Sequence, residues 1–226
     1  MAFQLDNVVP WGRSFSEYQA MFALTETDLQ CRMLGCGDGP TSFNSELTDR
    51  GGTVVSVDPL YEYSGSGIAA RVDACFEKVI EETRKNAHEF VWSHIGSVEE
   101  LADVRMAAMR RFLSDYESGR KEGRYLQGAL PSLSFADNAF DLGLCSHFLF
   151  LYSAHFDLGS HLDSIAEMCR VCGEVRIFPL LQLGGECSPF VEPVCAHFRS
   201  KGLRVEIVEV PYEFQRGGNC MLRLVR

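Results

Sequence analysis

The sequence predicts an α/β protein: a seven-stranded, mostly parallel sheet with helices on both faces. Three observations carry this expectation. Short β-branched or apolar runs alternate with helical stretches along most of the 226 residues. A glycine cluster, Gly35, Gly37 and Gly39, joins the first such run to the helical stretch after it, the layout of a strand–turn–helix unit. The last two apolar runs leave no room for a helix between them, so the final strand should pair antiparallel.

Element by element, Ser14-Phe15-Ser16-Glu17 reads as a capping box, and Phe15, Tyr18 and Phe22 fall on one helical face behind it. The first strand is expected over 30–34 and a helix over 41–50, stopped by Gly51-Gly52. The β-branched Thr53–Val57 is the second strand. Two amphipathic helices follow, one marked by Ile68, Val72, Phe76 and Val79, the other by Val98, Leu101, Met109, Phe112 and Tyr116. This stretch is about twice the length of an ordinary crossover. It is therefore expected to be a helical cap, 62–123, inserted between strands two and three of a single domain, 1–226. Strands are then expected at 124–128, 140–146, 174–178, 203–210 and 220–225, with helices over 157–171 and 188–201.

Composition narrows the function classes. The formal net charge is −10, and an acidic surface repels phosphate backbones. Residues 77–124 hold nine basic and ten acidic side chains, so the cap offers no phosphate-binding patch. A nucleic-acid partner is not expected, nor is a membrane partner, because no run of eighteen apolar residues occurs. The opening MAFQLDNVVPWGRS lacks the basic-then-apolar layout of a secretion signal. Nine scattered cysteines suit free thiols in a reducing, cytoplasmic setting better than a disulfide framework. Cys169 and Cys172 have no second pair, and His147, His155 and His161 have no zinc spacing, so no metal site is expected.

The glycine loop reads Gly35-Cys36-Gly37-Asp38-Gly39-Pro40-Thr41. A P-loop would need Lys-Ser/Thr after its last glycine, and a dinucleotide fingerprint a third glycine where Pro40 stands. Proline also removes an N–H that a pyrophosphate could use. Asp58 ends the second strand, 23 residues after Gly35, at the distance of an acid that binds ribose hydroxyls. A nucleoside ligand with little phosphate is the inference. An NAD(P)-dependent oxidoreductase stays open as an alternative.

These stretches, with Val57-Asp58-Pro59 and the run GALPSLSFADNAFDLGLCSH (Gly128–His147), resemble the class I S-adenosylmethionine-dependent methyltransferases. The resemblance covers roughly 30–60 and 124–226 and extends to the order of elements. It implies S-adenosyl-L-methionine as cofactor, leaving as S-adenosyl-L-homocysteine. It further implies that Gly35, Gly37 and Gly39, with Cys36 and Asp38 between them, carry the methionine part. Asp58 would hold the ribose, Pro59 and Leu60 the adenine face, and Ala129 and Leu130 the adenine edge. Ser146 and His147 would face the donor methyl. Two positions depart from the family: Met33 and Ala129 stand where it often has acids. Asp38 and backbone carbonyls are the candidate substitutes. A non-catalytic methyltransferase-like binding module is the alternative these departures motivate.

Methyl transfer from a sulfonium needs alignment first, and a base only if the acceptor must lose a proton. His147 is the candidate base by position. Arg13 is the candidate partner of the cofactor carboxylate. Trp11, Tyr18, Tyr152 and Trp92 are the candidate acceptor-binding residues, with His155 and His94 beside the last two. The expected acceptor is a small molecule; the oligomeric state is left open.

Overall fold

A computed structural model describes residues 9–226. Residues 1–8, which open the stretch read for a secretion signal, lie outside the described residues. Seven strands form one sheet in the order β3-β2-β1-β4-β5-β7-β6. They are β1 Arg32–Cys36, β2 Thr53–Val57, β3 Tyr125–Leu126, β4 Phe140–Ser146, β5 Cys172–Phe178, β6 Arg204–Glu209 and β7 Cys220–Val225. Strands β1 to β5 pair in parallel, and β7 runs antiparallel between β5 and β6. The helices are α1 Phe15–Met21, α2 Phe43–Asp49, α3 Gly65–Lys85, α4 Val98–Lys121, α5 Leu158–Val171 and α6 Val191–Ser200.

Three apolar clusters hold these layers together. One, with Leu34, Cys145, Ile165, Met168, Val175 and Leu222, lies between the sheet and α5 and α6. A second, with Phe15, Tyr18, Met33, Phe43 and Leu144, fills the opposite face beneath α1 and α2. A third, with Tyr61, Ile68, Val72, Met109, Phe112 and Tyr116, joins α3 to α4. Each cluster removes apolar surface from water, the main favourable term in folding.

Some boundaries differ from expectation. β1 starts two residues later than expected because Asp28–Gln30 form a 3-10 turn, whose start is fixed by Thr25 N–H donating to the Asp28 carboxylate at 2.8 Å. β3 has two residues, not five, because the chain leaves the sheet edge and its next residues line a cavity. The two helices expected as one cap do different work. α4 packs against α2 and β3, as the crossover helix of the β2–β3 unit does. The inner face of α3 and the connection after it cover the sheet's C-terminal edge, where Ala74, Cys75, Val79 and Phe90 line the cavity.

The connection 86–97 is tied down from the far side of the sheet. Val91 N–H donates to the Phe214 carbonyl at 2.7 Å and Arg216 N–H to the Glu89 carbonyl at 2.9 Å. Phe90 stacks on Phe214 with centroids 4.9 Å apart. The β6–β7 connection and the α3–α4 connection thus form one roof.

Candidate functional site

The strand order reverses between β1 and β4, and ligands of open α/β sheets bind outside the strand ends at such a point. Here the chain leaves β1 through the glycine loop. Gly37 and Gly39 hold φ of +65° and +55°, a left-handed conformation that side chains resist. A Cβ on Gly37 would also meet the Phe148 ring at 3.0 Å, whereas at Gly39 nothing lies within 4 Å. Gly39 therefore presents bare backbone to open space.

Asp38 folds back under this loop. Its Oδ1 accepts from the Tyr18 hydroxyl at 2.9 Å and its Oδ2 from the Ser56 hydroxyl at 2.6 Å. The carboxyl sits in front of Gly35, where a Cβ would lie 1.9 Å from Oδ2. Burial pushes its pKa up to about 6; the Ser56 and Tyr18 hydrogen bonds resist and nearby Asp58 adds to the rise. Met33 points away into the core beside Tyr18 and Phe43. The acid at the base of this loop is therefore Asp38.

Asp58 caps the 3-10 turn Pro59–Glu62. One oxygen accepts from Leu60 N–H and the other from Gly39 N–H, each at 2.8 Å. Burial raises its pKa, against the pull of those two amides. A carboxylate has about four acceptor sites, so both oxygens keep capacity for ligand hydroxyls. Tyr61 closes the loop from behind by donating to the Gly39 carbonyl at 2.7 Å.

The segment before α1 straps across the loop. Gly12 passes so close that a Cβ there would lie 2.1 Å from the Pro40 carbonyl oxygen. The Arg13 carbonyl accepts from the Thr41 hydroxyl at 2.6 Å and from Ser42 N–H at 3.1 Å. The half-buried Arg13 guanidinium donates to the Trp11 carbonyl at 2.9 Å, and its Nε has no hydrogen-bond partner among the described residues. Burial and the neighbouring Arg105 lower its pKa to about 10.

Arg105, from mid-α4, is 1% exposed. It pairs with Glu17 at 2.5 Å, and the Tyr212 hydroxyl donates to the other Glu17 oxygen at 2.8 Å. Burial alone would raise the Glu17 pKa, but the charge and hydrogen bond of Arg105, with help from Arg13 and Ser14, hold it at about 2. His147 stands beside this cluster. Its φ is +51°, its N–H donates to the Phe178 carbonyl at 2.6 Å, and its Nδ1 lies 2.9 Å from the Ser146 hydroxyl. Burial, then Arg13 and Arg105, push its pKa well below the usual histidine value. The ring is neutral at physiological pH.

These groups enclose a cavity of 840 Å³, near the top of the roughly 300–1,000 Å³ range of small-molecule sites. It has room for a nucleoside-sized ligand and a second molecule. Its lining includes Cys36, Gly37, Asp38, Gly39, Asp58, Pro59, Leu60, Ala129, Leu130, Ser146, Arg13 and His147 from the sequence-based assignment. Trp11, Tyr18 and Tyr152 reach it too. Tyr18, however, spends its hydroxyl on Asp38. Gly35 lies behind the lining, screened by Asp38.

Trp92 requires correction. It is not in the cavity wall: its Nε1 donates to the Ala87 carbonyl at 2.9 Å and its ring meets Phe90 and Phe214 edge-on. It buttresses the roof from outside. His94 and His155 are exposed and outside the lining. Among the described residues, no group of three or more His, Cys, Asp or Glu side chains could hold a metal ion, and no helix is long and apolar enough to cross a membrane.

Glu17, Arg105 and Tyr212 were not singled out in the sequence as site residues. Glu17 was visible only as a helix cap, a role it also fills, since Ser14 N–H donates to its carboxylate at 2.9 Å. Arg105 did carry a signal. It falls four residues after Leu101 and four before Met109 on the apolar face of α4, and a cation in an apolar stripe is one that will be buried and need a partner.

The strand order, the antiparallel β7 and the glycine loop at the β1 end define the class I methyltransferase fold. Among known proteins, the chain is 33% identical over 225 residues to protein MJ0045 of Methanocaldococcus jannaschii, described as uncharacterized, with 98% of both chains covered. The chain belongs to the same family as that protein. No family profile matches it. Solved structures of similar shape include magnesium protoporphyrin IX methyltransferase from Synechocystis PCC 6803 with bound SAM. That likeness has a TM-score of 0.49 at 12% identity over 94% of this chain and 77% of the other. A SAM-dependent methyltransferase from Aquifex aeolicus gives 0.44 at 16%, over 92% and 90%. At such values the likeness is one of general shape, and the fold assignment rests on the strand order itself.

Proposed function

We propose that the protein binds S-adenosylmethionine in this cavity and transfers its methyl group to a small molecule. The observation that carries the reading is the convergence on one cavity of bare backbone at Gly39, the Asp58 carboxylate and the Arg13 guanidinium. Asp58 and Arg13 fit two polar parts of that cofactor, and Gly39, with no side chain and open space before it, lets the ligand approach the backbone. Asp58 would take the ribose hydroxyls on the acceptor capacity left over from its two amide bonds. Arg13, whose side chain lines the cavity, would take the carboxylate. Pro59, Leu60, Ala129 and Leu130 would hold the adenine between apolar surfaces.

When bound, the cofactor supplies a methyl group already activated by positive sulfur. The protein's own task is then alignment and exclusion of water. Asp38, Tyr18 and Ser56 fix the loop so that its backbone does not yield to the ligand. Ser146 and His147 bound the cavity where β4 ends, and the neutral His147 ring can accept a proton only weakly. The α3 face and the roof built on Phe90 and Phe214 close the other side.

Isothermal titration with S-adenosylhomocysteine tests this. Saturable, one-to-one binding that Asp58→Ala weakens at least tenfold is expected. Absence of heat with millimolar ligand would overturn it. Methylation of any acceptor separates an enzyme from a binding module, and Asp58→Ala should abolish that rate as well.

A further inference from the structure

The half of the cavity beyond the glycine loop combines two features. Its walls are apolar, with Phe90, Leu183 and Phe214 among them. Its polar end is cationic: two guanidiniums, Arg13 and Arg105, face one carboxylate, Glu17, and Tyr212 spends its proton on that same carboxylate. We propose that this half takes an apolar acid, a phenol-like hydroxyl or carboxyl group on a hydrocarbon body, and turns amines away. The inference rests on the methyltransferase reading and names its acceptor class.

The physical reason is the sign of the local field. In a cavity with little water, charges act through a low dielectric and are felt over several ångströms. Burial is the first cause of the depressed basicity of His147, and Arg13 and Arg105 add to it with their charge; only that second part speaks for the sign of the field. A field that resists protonation of an imidazole resists an ammonium and favours an oxyanion at the same place. The cofactor's sulfonium adds another positive charge there, while its carboxylate offsets Arg13. An acceptor that arrives ionised relieves the excess.

The chemistry then balances without a strong base. The acceptor oxygen gains the methyl carbon, the carbon–sulfur bond breaks, and its electron pair returns to sulfur. The acceptor's proton has already gone to solvent, which the field makes easier. An amine would instead become more positive on methylation, in the one part of the cavity least able to bear it. The charges that reach His147 are those of Arg13, before α1, and Arg105, on α4. Glu17 on α1 and Tyr212 between β6 and β7 are coupled to the same two arginines, and the carboxylates Asp38 and Asp58 line the cavity at its loop end.

Three probes of one size and different charge test the proposal: 4-nitrophenol, benzoate and benzylamine, each titrated into the full chain with and without S-adenosylhomocysteine. The absorbance of 4-nitrophenol reports its own ionisation. Its bound form should ionise at least tenfold more readily than the free form, benzoate should bind saturably, and benzylamine should not. Arg13→Gln should reduce the ionisation shift. If that variant does not fold, the wild-type series decides alone. Benzylamine binding as well as benzoate, an unshifted 4-nitrophenol, or no binding of any probe would overturn the proposal. A failed S-adenosylhomocysteine titration with a shifted 4-nitrophenol would instead remove the cofactor reading and leave the anion site standing.

Discussion

The cavity has two ends, and they are built by opposite strategies. The end at the glycine loop is built on two strand-end turns, over 37–39 and 58–60, closed by Tyr18 and Ser56. Gly37, Asp38 and Gly39 form one turn, and Asp58 grips Gly39 N–H and Leu60 N–H at once. Its two carboxylates, Asp38 and Asp58, are held by short hydroxyl and amide contacts rather than by cations. The other end is assembled from across the chain: Arg13, Glu17, Arg105, His147 and Tyr212 meet although up to 199 positions separate them. Three of its polar groups, Arg13, Glu17 and Arg105, are full charges, withdrawn from solvent and mutually dependent. The first end can lose a group and keep its shape, whereas removing one partner at the second strands another charge in the interior.

The comparison can be broken most directly at Arg105. Arg105→Met leaves Glu17 buried without its cation and should cost about 3–5 kcal/mol, read as a lower urea midpoint with unchanged slope. The double variant Arg105→Met with Glu17→Gln should recover part of that loss. If the single variant costs under about 1 kcal/mol, the buried pair does not govern that end.

Acid titration separates the two ends by sign. Glu17 has its folded pKa lowered to about 2, so its contribution is present above its unfolded value near 4.5 and is lost as pH falls toward 2. Asp38 has its folded pKa raised to about 6. It therefore costs stability progressively as pH rises from about 4 to 6, on the order of 3 kcal/mol in all. Asp38→Asn should flatten the stability profile between pH about 4 and 6 and leave the loss below pH about 4 in place. A profile with the same slope in both proteins would refute that assignment.

Smaller effects sharpen the contrast. Asp58→Asn keeps one acceptor oxygen but loses charge. It should cost about 1 kcal/mol of folding stability as a weakened cap, while S-adenosylhomocysteine affinity falls about tenfold by calorimetry. Gly39→Ala should cost about 1–2 kcal/mol through its backbone conformation alone, since no neighbour crowds that position. Trp92→Phe loses one hydrogen bond outside the cavity. It should leave ligand affinity unchanged and lower stability by about 1 kcal/mol.

What could be read from the sequence follows the same division. The loop end was legible because turn chemistry is local: glycines at left-handed positions, and an acid at a strand end. The strands expected at 53–57, 140–146 and 220–225 coincide with β2, β4 and β7, where β-branched or apolar runs are cleanly bounded. The charged end was not legible, because a pair such as Glu17 and Arg105 has no spacing rule. Only the misfit of an arginine in the α4 stripe pointed to it. Trp92 was misplaced for a related reason. An aromatic in a connection between helices can face either way, and the Phe90–Phe214 stack turned this one outward.

The carbonyl of Arg13 has one more consequence. In dinucleotide folds the amides opening the helix after the glycine loop are the seat of the pyrophosphate. Here that seat is taken by the chain itself: Ser42 N–H donates to the Arg13 carbonyl and Phe43 N–H to the Thr41 hydroxyl at 3.3 Å, and Pro40 has no N–H to offer. A nicotinamide dinucleotide would have to evict this peptide before its phosphates found a donor. The strap that aims the arginine side chain thus also works as a built-in competitor, and it screens ligands by what they lack.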